Sequence, residues 1–340
     1  MDDKTSPAPI TMVDTPPQFL HSVDSVYELS VPALSNEDFE NLTENNITQG
    51  IYAYPTLTEY YMNPTPFVTI CLFVSIFIVM LNISIFLTTV AKLGQCLRKP
   101  LLGLSIALVS LYPLVSIAAL VNLLVPQIWF TCHTVMHLSF TIGAIFFYRL
   151  CMHYIGSEVS FIKETDGMAV PIRTPPCCCC CVCLPGVVPT RGRFVVLRYM
   201  VFQMVFIQGS IMLVLNGIFY NDMELFNDVQ QYFLPFIIAS ILLGIWGLNI
   251  TVRAVNNLHA DYSTMKKMFS LQLIMLLCKA QYLIMYQQLD EMVLGGAYPM
   301  NHVIYKQTII NTLILVEMIL LSLFVQNAYK TPVQIENDEN

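Results

Sequence analysis

Pro100-LLGLSIALVSLYPLVSIAALVNLLVPQIWFTCHTVMHLSFTIGAIFF-Tyr148 contains no Asp, Glu, Lys or Arg in 49 residues. A helix rises about 1.5 Å per residue and needs about 20 apolar residues to cross roughly 30 Å of hydrocarbon. The run is therefore too long for one crossing and long enough for two. It divides at Val125-Pro126-Gln127, because proline interrupts a continuous helix, and Trp129 just beyond suits a membrane interface. Two spans, 101–125 and 128–148, follow as a tight hairpin.

The same reading carries outward. Pro66 to Ala91 is uncharged and is followed by Lys92, Arg98 and Lys99, which makes 66–91 a span with a basic flank. On the other side lie four further apolar runs, at 194–219, 232–252, 268–288 and 307–327. The fold expected is all-α, a polytopic membrane protein with seven transmembrane helices between residues 66 and 328. Composition agrees: 56% of the 340 residues are hydrophobic, 11% are charged and the mean hydropathy is +0.62, which excludes a soluble globular enzyme.

Orientation follows from Lys and Arg, which resist translocation. With the amino terminus outside and the carboxyl terminus cytoplasmic, 13 of the 16 basic residues lie inside, Lys4 and Lys306 lie outside, and Lys279 falls within the sixth span. Residues 1–65 hold ten acids against Lys4 and no long apolar run, so they read as an acidic disordered extracellular tail. Two sequons there, at Asn41 and Asn46, require the same orientation and would carry N-glycans. Those at Asn82 and Asn249 lie inside spans and should stay unmodified. Residues 329–340 form a cytoplasmic tail. Acidity is confined to the tails, which gives no indication of a nucleic-acid partner.

The one long interior connection, 149–193, contains Cys177, Cys178, Cys179, Cys180, Cys181 and Cys183. Adjacent cysteines diverge in an extended chain, so tetrahedral zinc binding is geometrically poor, and the reducing cytosol disfavours disulfides. Reversible S-acylation next to the bilayer fits best, with metal or redox chemistry and a plain membrane-proximal cluster as the alternatives.

A Pro-Cys-Cys-Cys-Cys-Cys run between the third and fourth of seven spans resembles the alpha subunit of the organic solute transporter family. Arg191-Gly-Arg-Phe194, Leu243-Gly-Ile-Trp-Gly-Leu248 and Leu313-Ile-Leu-Val-Glu317 are similar in kind. The resemblance implies a facilitative carrier of steroid conjugates, bile acids and related amphipathic organic anions, working with a small single-pass beta subunit. The expected location is the plasma membrane, with an endomembrane pool as the alternative, and no cofactor and no catalysis are expected.

Two ionisable residues lie deep in the spans: Lys279, 12 residues into the sixth, and Glu317, ten into the seventh. Each alone costs about 2.5 to 3.5 kcal/mol in a membrane, so an ion pair is the economical expectation, structural or lining the solute path. Gln272, Tyr282 and Tyr286 share a helical side with Lys279 and suit an amphipathic anion better than lipid. His133 and His137 have zinc-compatible spacing but lack a third ligand, which favours bundle histidines. Asn82, Gln203, Gln208 and Asn249 are expected to bond between helices. The competing class is a seven-helix receptor coupled to G proteins. Against it, the third span ends Tyr148-Arg149-Leu150 and the seventh lacks Asn-Pro-x-x-Tyr. A membrane metal hydrolase lacks a ligand set.

Overall fold

Pro126 ends the long apolar helix where the sequence places the break. In the computed structural model Pro126–Ile128 forms a single 3-10 turn, and the Val125 amide before it closes the preceding helix on the Val121 carbonyl. The structure describes residues 55–97, 99–156, 190–258, 263–291 and 302–329, with scattered positions between 159 and 188. The side chains of 258, 279, 280, 282–291 and 302 fall outside that description. So do Asn41, Asn46 and the cysteine run.

Among the described residues the regular elements are all helical: α1 (Leu57–Met62), α2 (Pro66–Cys96), α3 (Leu101–Val109), α4 (Leu111–Leu124), α5 (Trp129–Tyr154), α6 (Arg191–Asn221), α7 (Met223–Leu258), α8 (Thr264–Glu291) and α9 (His302–Ala328). The expected second span is α3 and α4 in succession. Ser110 joins them with helical dihedrals, and its amide bonds the Ile106 carbonyl, so the pair runs on as one rod. Six helical stretches are long and apolar enough to cross a membrane: α2, α3 with α4, α5 with its 3-10 turn, α6, α7 and α9. At 28 residues α8 has the length, about 42 Å, but Lys266, Lys267, Gln272, Lys279 and Gln281 make it more polar than the six.

Burial identifies the centre. In α5, 61% of the apolar window is buried within the protein, against 22% in α2 and 28% in α6. Accordingly α5 packs on α3, α4, α6, α7 and α8, while α9 packs on α2, α4 and α8. The helix pair α6 and α7 approaches closely because Gly244 and Gly247 lie at the contact. A Cβ on Gly247 would stand 3.0 Å from Met200 Cβ, and one on Gly244 would stand 2.7 Å from Met204 Sδ. Small residues bring backbones together where lipid supplies no hydrophobic drive between helices.

The four amides expected to bond between helices do so. Asn82 donates to Ser116 Oγ at 2.6 Å and accepts from Ser322, tying α2, α4 and α9. Gln203 and Ser240 exchange two bonds at 3.0 Å between α6 and α7. Gln208 joins α5 to α7, and Asn249 accepts from Gln272 of α8 at 3.3 Å.

The folded body begins earlier than the expected boundary at 65. Thr56 and Glu59 form a reciprocal capping box that starts α1, satisfying amide groups that a helix start leaves open. Tyr60 and Tyr61 then donate their hydroxyls to the Leu123 and Leu124 carbonyls, at 3.0 and 2.8 Å. Those carbonyls belong to the last turn of α4, where no intrahelical donor reaches.

Candidate functional site

Between α4, α5, α8 and α9 lies a cleft holding about 680 Å³ between its atoms, of which about 60 Å³ admits the centre of a water-sized molecule. Its walls are mainly apolar: Trp129, Met136 and Phe140 from α5, Ile274 and Met275 from α8, Ile310 and Ile314 from α9. Five polar side chains interrupt them, namely Asn122, His133, His137, Gln307 and Asn311. Among the described residues no Asp, Glu, Lys or Arg lines the cleft. A large apolar surface with a few separated hydrogen-bonding groups suits a rigid amphipathic molecule and gives a densely charged one no counter-ion.

Two features fix the polar groups. Gln208 donates its amide to the Ile237 carbonyl at 2.9 Å, which turns Gln208 Oε1 toward His137 Nε2 at 2.6 Å. His137 is therefore the donor in that bond, with its proton assigned to Nε2 by the geometry of the amide. Its ring centroid lies 6.4 Å from that of His133. Among the described residues no third potential metal ligand joins the two histidines. Asn122 is buried on α4, and its Oδ1 has no hydrogen-bond partner among the described residues. A buried acceptor left open costs on the order of 1 to 3 kcal/mol, so this one is suited to receive a proton donor from a bound molecule or water.

The sequence-expected path residues divide around this cleft. Glu317 on α9 lies one turn beyond the lining residue Ile314 and accepts a hydrogen bond from Gln281 of α8. Its second oxygen, Oε2, is buried without a partner among the described residues. Gln272 turns to Asn249 of α7 and takes no part in the lining. The side chains of Lys279, Tyr282 and Tyr286 lie outside the described residues. Asn122, Gln307, Asn311 and Gln281 are new to the site. The available signal was single amides set in apolar runs, the same signal that singled out Asn82.

Long apolar helices around an amphipathic cleft define a multi-pass membrane protein. The chain belongs to the organic solute transporter Ostalpha family, whose family model matches residues 71–334. It is 54% identical to the organic solute transporter alpha-like protein of Drosophila melanogaster over 294 residues, 86% of this chain and 90% of that one. It is 23% identical to the organic solute transporter subunit alpha of Leucoraja erinaceus over 256 residues, 74% of this chain and 73% of that one. No solved structure matches it. Membership makes the chain a membrane transporter of organic solutes, and the receptor reading is not favoured.

Proposed function

We propose that this chain is the conducting alpha-type subunit of a facilitative transporter for steroid conjugates and related amphipathic anions at the plasma membrane. The amphipathic cleft, with no charged side chain among the described residues that line it and with the open acceptor of Asn122, carries the reading. An apolar wall of Trp129, Phe140 and Ile314 suits a fused-ring body, and Asn122, His137 and Asn311 are spaced groups for its hydroxyl or keto substituents. In this reading α8 also crosses the membrane, which makes seven crossings, and the amino terminus is outside. Asn122, the first turns of α5 and the start of α9 then set the cleft in the outer half of the bundle. A small single-pass beta subunit assists, as the name of the Leucoraja relative, a subunit alpha, suggests.

Lys279 serves as the midplane counter-charge for the solute anion and Glu317 as its resting partner. The helical register supports this: Lys279 follows the lining residue Met275 by four positions, and Glu317 follows Ile314 by three. Lys279 lies just beyond the α8 lining residues Met275 and Cys278, and Glu317 just beyond the α9 lining residue Ile314, so the two positions border the cleft from adjacent helices. Cys177, Cys178, Cys179, Cys180, Cys181 and Cys183 are acylated, and Asn41 and Asn46 carry glycans.

The test is uptake of a labelled steroid sulfate and of its unsulfated parent into cells expressing the chain, alone and with a candidate single-pass partner. Saturable uptake above mock-transfected cells is expected. Asn122→Leu should weaken both substrates about tenfold, the loss expected for one hydrogen bond in a dry site. No uptake of either compound under any pairing would overturn the reading.

A further inference from the structure

The seam that holds the cleft continues toward the opposite end of the bundle. Along α8 the residues Lys267, Leu271, Ile274 and Cys278 follow one another at four, three and four positions, which is one helical face. The last two line the cleft, and the first two line a smaller void of about 10 Å³, room for one water. Along α5 the cleft residue Phe140 and the void residue Phe147 are seven positions apart, about 10 Å. α9 contributes Ile314 to one and Tyr329, the residue after its last turn, to the other. Between them the seam is closed: a Cβ on Gly143 would lie 2.5 Å from Leu111 Cδ1 and 3.2 Å from Leu271 Cδ1.

Lys267 is the unusual member of the inner void. Charge counting places it on a basic flank in water, yet it is 3% exposed. Its Nζ donates to the Tyr154 hydroxyl at 2.9 Å and lies 5.1 Å from the Tyr154 ring centroid and 4.6 Å from that of Tyr329. Among the described residues it meets no carboxylate. The titratable groups around it are Cys151 and Tyr154 from α5, Tyr112 from α4 and Tyr329. A thiol and a phenol are neutral at neutral pH, so neither Cys151 nor Tyr329 supplies an anion. Two tyrosine faces and the negative ends of α5 and α9 offset part of the cost of burying the ammonium. Among the described residues this buried cation, surrounded by neutral hydroxyls and with a water-sized space beside it, has no counter-ion.

We propose that Lys267, with Tyr154, Tyr329 and Ser270 around it, binds the anionic head of the solute, a carboxylate or sulfate monoester, at the inner end of the seam. The proposal rests on the transport reading above and adds a second station to it. Lys279 is the counter-charge while the solute sits in the outer cleft, and Lys267 receives the charged head once it has passed the Leu111, Gly143 and Leu271 layer. In the present state the station is shut, because the void has room for one water only and the Tyr329 ring covers Nζ. A head group enters when the Tyr329 side chain at the end of α9 swings away.

The test is thermal unfolding of the purified full chain in detergent with four probes: a steroid sulfate, its unsulfated parent, methyl sulfate and a short-chain phosphatidic acid. The sulfate is expected to stabilise the wild type at about tenfold to a hundredfold lower concentration than the parent, the range for a hydrogen bond to a charged group. Lys267→Met should diminish that difference while keeping the response to the parent, and Lys267→Arg should keep most of it. Met removes a buried charge without stranding a partner, so the variant should fold; if it does not, the Arg variant with Tyr154→Phe replaces it and should lower the preference. Sulfate preference undiminished in the charge-removed or Tyr154→Phe protein would overturn the proposal. So would Lys267-dependent stabilisation by phosphatidic acid alone, which would make the occupant a lipid. If neither steroid acts on the wild type, the transport reading fails separately, and methyl sulfate decides the inner site: Lys267-dependent stabilisation supports it and none overturns it.

Discussion

Gln281 of α8 donates its side-chain amide to the carboxylate of Glu317 of α9, one turn past the cleft. A carboxylate inside an apolar bundle is thus held by a neutral donor, with its second oxygen open. Gln281→Leu should destabilise the protein by about 1 to 3 kcal/mol, because it strips the one described bond from a buried charge. Joining Gln281→Leu to Glu317→Leu should recover the part of the loss that comes from the stranded carboxylate, and adding Lys279→Met should recover the rest. Detergent unfolding midpoints of the single, double and triple variants measure this.

Lys279 is tested against the same carboxylate. Lys279→Met should raise the apparent KM for a steroid sulfate well above that for its unsulfated parent, and Glu317→Gln should tighten anion binding. With both substitutions surface abundance should return while anion preference does not. Normal anion selectivity in that double variant, per surface molecule, would remove Lys279 from the solute path.

Gly143 sits where two leucine tips leave no room for a methyl group. Alanine there should be tolerated at a cost of about 1 to 3 kcal/mol, because leucine ends can rotate. Gly143→Leu should wedge the layer between the two voids. Transport should fall by an order of magnitude or more while cleft binding, read by the shift of the unfolding midpoint that the unsulfated parent induces, persists. Equal loss of both would show that the layer is ordinary packing.

The inner station has a sign in pH. Burial lowers the Lys267 ammonium to about 8, with the Cys151 thiol acting weakly the other way. The lysine is therefore charged at neutral pH and loses its proton as the cytoplasmic side is taken above about 8. Release and rebinding of anionic solutes from that side should decline through this range, while neutral steroid is unaffected. Inside-out vesicles at pH 7 and pH 9 check it, and Lys267→Arg should abolish the pH step.

Topology carries its own test. Glycosidase should raise the gel mobility of the wild type, and Asn41→Gln with Asn46→Gln should remove that change. Replacing all six cysteines of 177–183 by Ser should remove hydroxylamine-sensitive acyl label and lower surface abundance. A reporter placing 177–183 outside the cell would reverse the orientation.

The helices were legible because the bilayer imposes a length and a polarity that one dimension records. Pro126 broke the long run, and Asn82, Gln203, Gln208 and Asn249 all bridge helices, since an amide has few other partners in lipid. The site was less legible, for a physical reason. Counting basic residues tells which side a loop lies on, but it cannot distinguish Lys267, enclosed by Tyr154 and Tyr329 from two other helices, from its solvated neighbour Lys266. Likewise Gln281 drew no notice beside Lys279, although it is the residue that meets Glu317. Asn122 becomes meaningful only when α8 and α9 close the space opposite it.

The two tyrosines of α1 clasp the end of α4, and Asn122 lies in the same last turn. A pull on α1 is therefore borne by the helix that lines the mouth of the cleft, so a ligand or antibody that grips this short segment acts as a lever on the entrance without touching it.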